Sequence, residues 1–227
     1  RYTSTKDATI TNAFKSNLST RGVSGNMGAS DIMEVFSIYA QATSSSLEAC
    51  RALIYFPVSD IKTDRDNSAI PASGSVNFFL RVFNAKHAET LPKNFTLLAA
   101  AVSGTTDSDW SWPEGRGLDM EEYTDEHPVN WLSASATYSW TQQGGDFYTG
   151  SFVAGQTLPW YEQSFSEGAG DLEIDITELV EEWVSGTLNP TTDFVRKNHG
   201  LGVLLTGSQE SSAQTYYTKR FFSRTSE

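Results

Sequence analysis

Cysteine is almost missing from this chain. Cys50 is the single one in 227 residues, so no intrachain disulfide can form. It stands just before the apolar run Arg51-Ala-Leu-Ile-Tyr-Phe56 and reads as a small hydrophobe at a strand start; the redox compartment is left open. Long apolar runs are missing too. Nothing approaches the ~20 residues that span a bilayer, and Arg1-Tyr-Thr-Ser4 has no signal-peptide core, so no membrane partner is expected. The first residue is not methionine, which suggests a processed chain or a piece of a longer product. Basic charge is scarce: 16 Lys and Arg against 28 Asp and Glu leave a net charge of −12, which repels a phosphate backbone and argues against nucleic acid as a partner.

Catalytic signatures are also lacking. The chain has no Gly-x-Ser-x-Gly elbow, no phosphate loop, no His-Glu-x-x-His and no paired cysteines. His87, His127 and His199 lie too far apart to form a ligand set by spacing, and each is expected on a loop or the surface. Carboxylates are plentiful, but acid/base chemistry needs two held at a set separation in a cleft. The expectation is a protein that is not an enzyme and needs no cofactor.

What the chain does have is strand pattern. A single domain over residues 1–227 fits the roughly 200–250 residues that large β domains reach undivided. Asp7–Ile10 begins a strand, and Asp31–Tyr39 resumes after the glycine-punctuated stretch Arg21–Gly28. Arg51–Ile61 is the next expected strand, with Pro57 near its end or on an edge. In Ser75–Phe83, Val76, Phe78, Leu80 and Val82 alternate with Asn77, Phe79, Arg81 and Phe83. Phe95–Val102, Asp171–Ile176, Gly200–Thr206 and Thr215–Arg224 continue the series. Between the last strands, Leu179, Val180 and Trp183 share one face of a short helix that Asp175 or Thr177 can cap and Gly186 can stop. The fold class is therefore all-β, an antiparallel β-sandwich of jelly-roll type with one short inserted helix near 177–185.

Two stretches break the periodicity. Residues 103–128 form a long acidic excursion, and 144–170 form an aromatic one carrying Tyr148, Trp160 and Tyr161. Loops beyond ~12–15 residues tend to be functional or mobile, so the expected contact residues are Trp110, Trp112, Tyr148, Trp160 and Tyr161. Tryptophan faces also stack on sugars, although in sandwiches they more often fill the core. Asp119, Glu121, Glu122 and Asp125 could contribute to a calcium site, but the Asp-x-Asp-x-Asp-Gly order is missing and a solvated loop is the expected reading.

Ordered landmarks carry a resemblance. Asp7-Ala-Thr-Ile10, Asn26–Val35, Arg51–Phe56, Trp131 with Trp140 and Gly144-Gly145-Asp146, Asp175 through Gly186, and Gly200–Leu205 together resemble the DNRLRE-type β-sandwich domain. Gly115-Arg-Gly-Leu-Asp-Met-Glu-Glu-Tyr123, Leu204–Glu210 and Tyr216–Ser226 are more closely similar to structural proteins of tailed bacteriophages. The resemblance implies a virion component (capsid decoration, tail or fibre) with no catalytic residues, whose partners are other virion proteins and itself as a homo-oligomer. The alternative it implies is a carbohydrate-binding module of a surface or secreted protein, recognising acidic polysaccharide such as a host-surface glycan.

Overall fold

The computed structural model describes residues 1–86, 92–103, 110–121, 127–148, 160–186 and 197–226. Nine strands follow in chain order: β1 Lys6–Thr11, β2 Ile32–Tyr39, β3 Leu47–Tyr55, β4 Phe79–Val82, β5 Phe95–Ala101, β6 Tyr161–Phe165, β7 Leu172–Asp175, β8 Leu201–Leu205 and β9 Tyr217–Phe222. Three helices join them: α1 Ser59–Asp66, α2 Thr177–Ser185 and α3 Gly207–Glu210. The large antiparallel sheet runs β6-β5-β8-β3-β2-β9, with β1 paired to β3. A two-stranded sheet, β4-β7, lies opposite it. The fold is thus all-β and antiparallel, a curled sheet facing a small one.

The middle of the large sheet, β1, β3, β5 and β8, is buried on both faces, which explains the near-continuous apolar runs of β3, β5 and β8. One face sends Met33, Val35, Ile54, Leu97, Ala99, Leu201 and Val203 into the inter-sheet core, where they meet Leu80, Ile174 and the buried side of α2. From the other face, Ala8, Ile10 and Leu53 pack under Trp112, Trp131 and Trp140. No third sheet is needed among the described residues, because loop tryptophans supply the cover.

The helix expected near 177–185 is present as α2. A nine-residue helix cannot hold itself together in water. It persists because Leu179, Val180, Trp183 and Val184 are buried, each contributing roughly 1.5–3 kcal/mol. Gly186 ends it at φ 60° in the left-handed region. The N-cap is Ile176 rather than Asp175 or Thr177, although the Thr177 N–H still donates to Asp175 Oδ1 at 2.9 Å.

Three expectations need correction. The helix is not alone, since α1 and α3 accompany it. The strand expected over Arg51–Ile61 ends at Tyr55, and α1 begins two residues beyond Pro57. Only Ile61 of α1 is buried, so the helix left no apolar period to read; Arg65 fixes it to α2 through two hydrogen bonds of 2.7 Å to Glu181. The strand expected over Ser75–Phe83 is ordered as a ladder only from Phe79 to Val82.

Candidate functional site

The two sheets part at one end, and the parting makes a cleft of about 1250 Å³. Backbone hydrogen bonds show where it opens. Phe222 N–H donates to Phe83 O at 2.9 Å and Ala85 N–H to Arg220 O at 3.0 Å, so the chain just past β4 is zipped to β9. One step further the partnership ends. Ser223 N–H continues the β2 ladder on the far edge by donating to Asp31 O, and Arg224 N–H, next in line to face β4, donates to the Asp7 carboxylate at 2.8 Å instead.

This leaves the outer edge of β4 open. Ile176 N–H donates to Phe78 O, and the register pairs Phe79 with Asp175 and Arg81 with Glu173. By the alternation of an antiparallel ladder, Phe78, Leu80 and Val82 bond toward β7, while Phe79 and Arg81 aim their N–H and C=O groups the other way. Among the described residues these groups have no partner. Phe79 is 55 % exposed, Phe83 41 % and Phe222 43 %, so three phenyl rings crowd this edge. Arg81 stands between two of them, but Asp171 at 3.5 Å and Glu173 at 3.3 Å draw its guanidinium toward β7. The same guanidinium lies 5.1 Å from the centre of the Phe83 ring, and Arg1 lies 5.9 Å from it.

Inside the cleft the walls are apolar, with Met33, Ile54, Phe78, Leu80 and Ile176 among the lining residues. Polar residues such as Ser4, Asn77 and Ser223 also line it, and two buried polar atoms in it are unpaired among the described residues. Asp7 is 1 % exposed, and while its Oδ2 holds Arg224 N–H, its Oδ1 has no partner among the described residues. Trp183 Nε1 is likewise buried and unpaired. Burial pushes the Asp7 carboxyl up to about 6, against the Arg224 N–H that lowers it, and the neighbouring Glu114 charge raises it further. Glu114 accepts from Asp7 N–H at 2.7 Å and from Arg224 Nε at 2.9 Å, which ties the start of β1 to the segment after β9. On the rim, Tyr2 donates to Asp64 at 2.7 Å; burial and that bond push its phenol up to about 12.

The contact residues expected from sequence fall elsewhere. Trp112 is 1 % exposed and Tyr148 7 %, so both are core residues in this fold and present no face to a partner. Trp110 is half-buried and stacks on His199 at 4.3 Å with 10° between the planes. His199 lies in the loop before β8, one of its two expected places, and is buried there. Trp131 and Trp140 are also core. Trp160, 41 % exposed, precedes Tyr161 at the start of β6. Asp119 Oδ1 accepts from Glu121 N–H and Glu121 Oε1 from Ser16 N–H; Glu122 and Asp125 lie outside the described residues, as does His87. Among the described residues no cluster of His, Cys, Asp or Glu is arranged to hold a metal, and no helix is long and apolar enough to cross a membrane.

Compared with known proteins, the chain matches no family model, and no curated protein matches it either. The cleft was missed from sequence because its walls come from the first residues, β4 and the segment after β9. One local signal pointed to it: Phe79 and Phe83 on the second face of an otherwise alternating strand.

Proposed function

We propose that this protein is a non-enzymatic structural component of a tailed-phage virion that works through protein–protein contacts. The observation that supports this reading is the open edge of β4, where unpaired backbone groups and the exposed rings of Phe79, Phe83 and Phe222 lie beside an apolar cleft. Exposed apolar patches of this kind are characteristic of association surfaces. The sequence likeness to phage structural proteins and to DNRLRE-type domains supplies the context, and a capsid, tail or fibre position fits it equally. Self-association into a homo-oligomer belongs to the same proposal.

Mass spectrometry of purified particles from the virus that encodes the chain tests the reading, together with light-scattering size analysis of the isolated protein. Presence in the particle and self-association are expected. A monomer absent from particles would remove the proposal. Binding of acidic polysaccharide, with the virion replaced by the cell surface, is the second reading, and the exposed ring of Trp160 favours it. A glycan array on which wild type and Trp160→Ala are equally silent would close it.

A further inference from the structure

Resting on that reading, we infer that the cleft receives an extended segment of a partner protein, which adds to β4 as a strand and places a lysine or arginine toward Asp7. Three features of the cleft specify this occupant.

The first is the spacing of unpaired backbone groups. Phe79 and Arg81 present outward N–H and C=O groups two residues apart, about 7 Å along the strand. A strand matches that repeat, whereas a helix has already used its own backbone groups. β9 shows the geometry is available, since it pairs with Phe83 and Ala85 and then gives its next β4-facing N–H, that of Arg224, to Asp7. The occupant takes up the ladder where β9 abandons it. The second feature is the lining. Met33, Ile54, Leu80 and Ile176 face inward, which calls for apolar side chains at every other position of the incoming segment.

Charge is the third. Asp7 Oδ1 is buried and unpaired on the floor of the cleft, and a buried acceptor left in that state is costly. Of the cations around the cleft, Arg224 is held by Glu114, Arg81 by Asp171 and Glu173, and Arg1 lies over the Phe83 ring at 5.9 Å, so none of them is hydrogen-bonded to Asp7 Oδ1. With a net charge of −12 over the chain, a basic segment is both attracted at long range and able to answer the open carboxylate oxygen.

Selection of a random twelve-residue peptide display library on the wild-type protein tests this. Enriched peptides are expected to alternate apolar residues and to carry a Lys or Arg. Arg81→Pro deletes an N–H that points away from β7 and so spares the β4–β7 ladder; Arg81→Ala keeps that N–H while losing the same side chain. Titration of an enriched peptide should show Arg81→Ala within about threefold of wild type, Arg81→Pro weaker by at least tenfold, and Asp7→Asn weaker by a similar factor. Hydrogen exchange of wild type gives a readout independent of any variant, with the Phe79 and Arg81 amides slowing when the peptide binds. The inference is overturned by failure to enrich any peptide, by equal affinity of the Pro and Ala variants, or by unchanged exchange at both amides. A particle that contains the protein and incorporates Arg81→Pro as it does Arg81→Ala would overturn strand addition while leaving the virion reading intact.

Discussion

The N–H of Arg224 donates to the carboxylate of Asp7 at 2.8 Å across 217 positions of sequence. This bond seals one side of the cleft and fixes the first strand to the segment that follows the last. It also leaves Asp7 with one satisfied oxygen and one bare one, an arrangement with a measurable pH signature.

Asp7 titrates near 6 when folded, above its ordinary 3.8, because burial disfavours its charge. Between those values the folded protein holds a proton that the unfolded chain has lost, so this group makes stability fall as pH rises from about 4 to 6. Asp7→Asn should match wild type at pH 4 and exceed it at pH 7. Urea unfolding at the two pH values checks this; a variant no more stable at pH 7 contradicts it.

Lys219 gives the opposite slope. It is fully buried, and its ammonium donates to Asn84 Oδ1, Gly168 O and Gly170 O. Burial lowers its pKa from 10.5 to about 8. Between these values the unfolded chain binds more protons, so its contribution raises stability with increasing pH. Lys219→Met removes that rise and strands three acceptors, for an expected loss of about 2 kcal/mol at pH 7. The difference from wild type should widen toward pH 10 in denaturant titrations.

Two buried tryptophans should respond differently to the same substitution. Trp112 Nε1 donates to His199 O at 2.8 Å, whereas Trp183 Nε1 has no partner among the described residues. Trp112→Phe loses ring area and a buried hydrogen bond to a carbonyl, costing about 2–3 kcal/mol. Trp183→Phe also discards an unpaired donor, so its cost should stay near 1 kcal/mol. Thermal unfolding of both variants orders them.

Arg51 gathers three elements. From β3 it reaches Glu210 on α3 through Nε at 2.7 Å, donates to Gly144 O at 2.8 Å and lies over the Trp131 ring at 5.1 Å. Gly144, at φ 91°, leaves no room for a side chain against Trp131 and Arg51. Lysine keeps the charge but not the planar fork, so Arg51→Lys should cost about 1–2 kcal/mol and Arg51→Ala about 3. Equal melting temperatures for the two variants would contradict the role assigned to the fork.

How far the sequence could be read depended on periodicity. β2 and β7 announced themselves because burial alternates within each, as in Leu172 and Ile174, β5 by a near-continuous apolar run, and α2 by apolar residues recurring on one face, as in Leu179 and Trp183. α1 stayed hidden because seven of its eight residues are not buried and its anchor, Arg65 to Glu181, spans 116 positions. Composition could count the tryptophans but not sort them: Trp112 sits in a stretch that reads as solvated loop, and only the fold shows it roofing β1 and β3. Beyond Phe79 and Phe83 on the second face of β4's strand pattern, the cleft had no local signature, since a bare carboxylate oxygen is defined by what fails to reach it.

The sheet order has a consequence for synthesis. β8 stands between β3 and β5, so the first hundred residues can pair β1, β2 and β3 but offer β5 no place in that sheet. On the ribosome, β5, with Leu97 and Ala99 on its core face, can pair with β6 but must wait for Leu201–Leu205 to join the main sheet, and β2 keeps one edge free until β9 follows. Until those strands follow, the nascent chain carries unpaired apolar edges, for which a chaperone, or a neighbouring copy, competes.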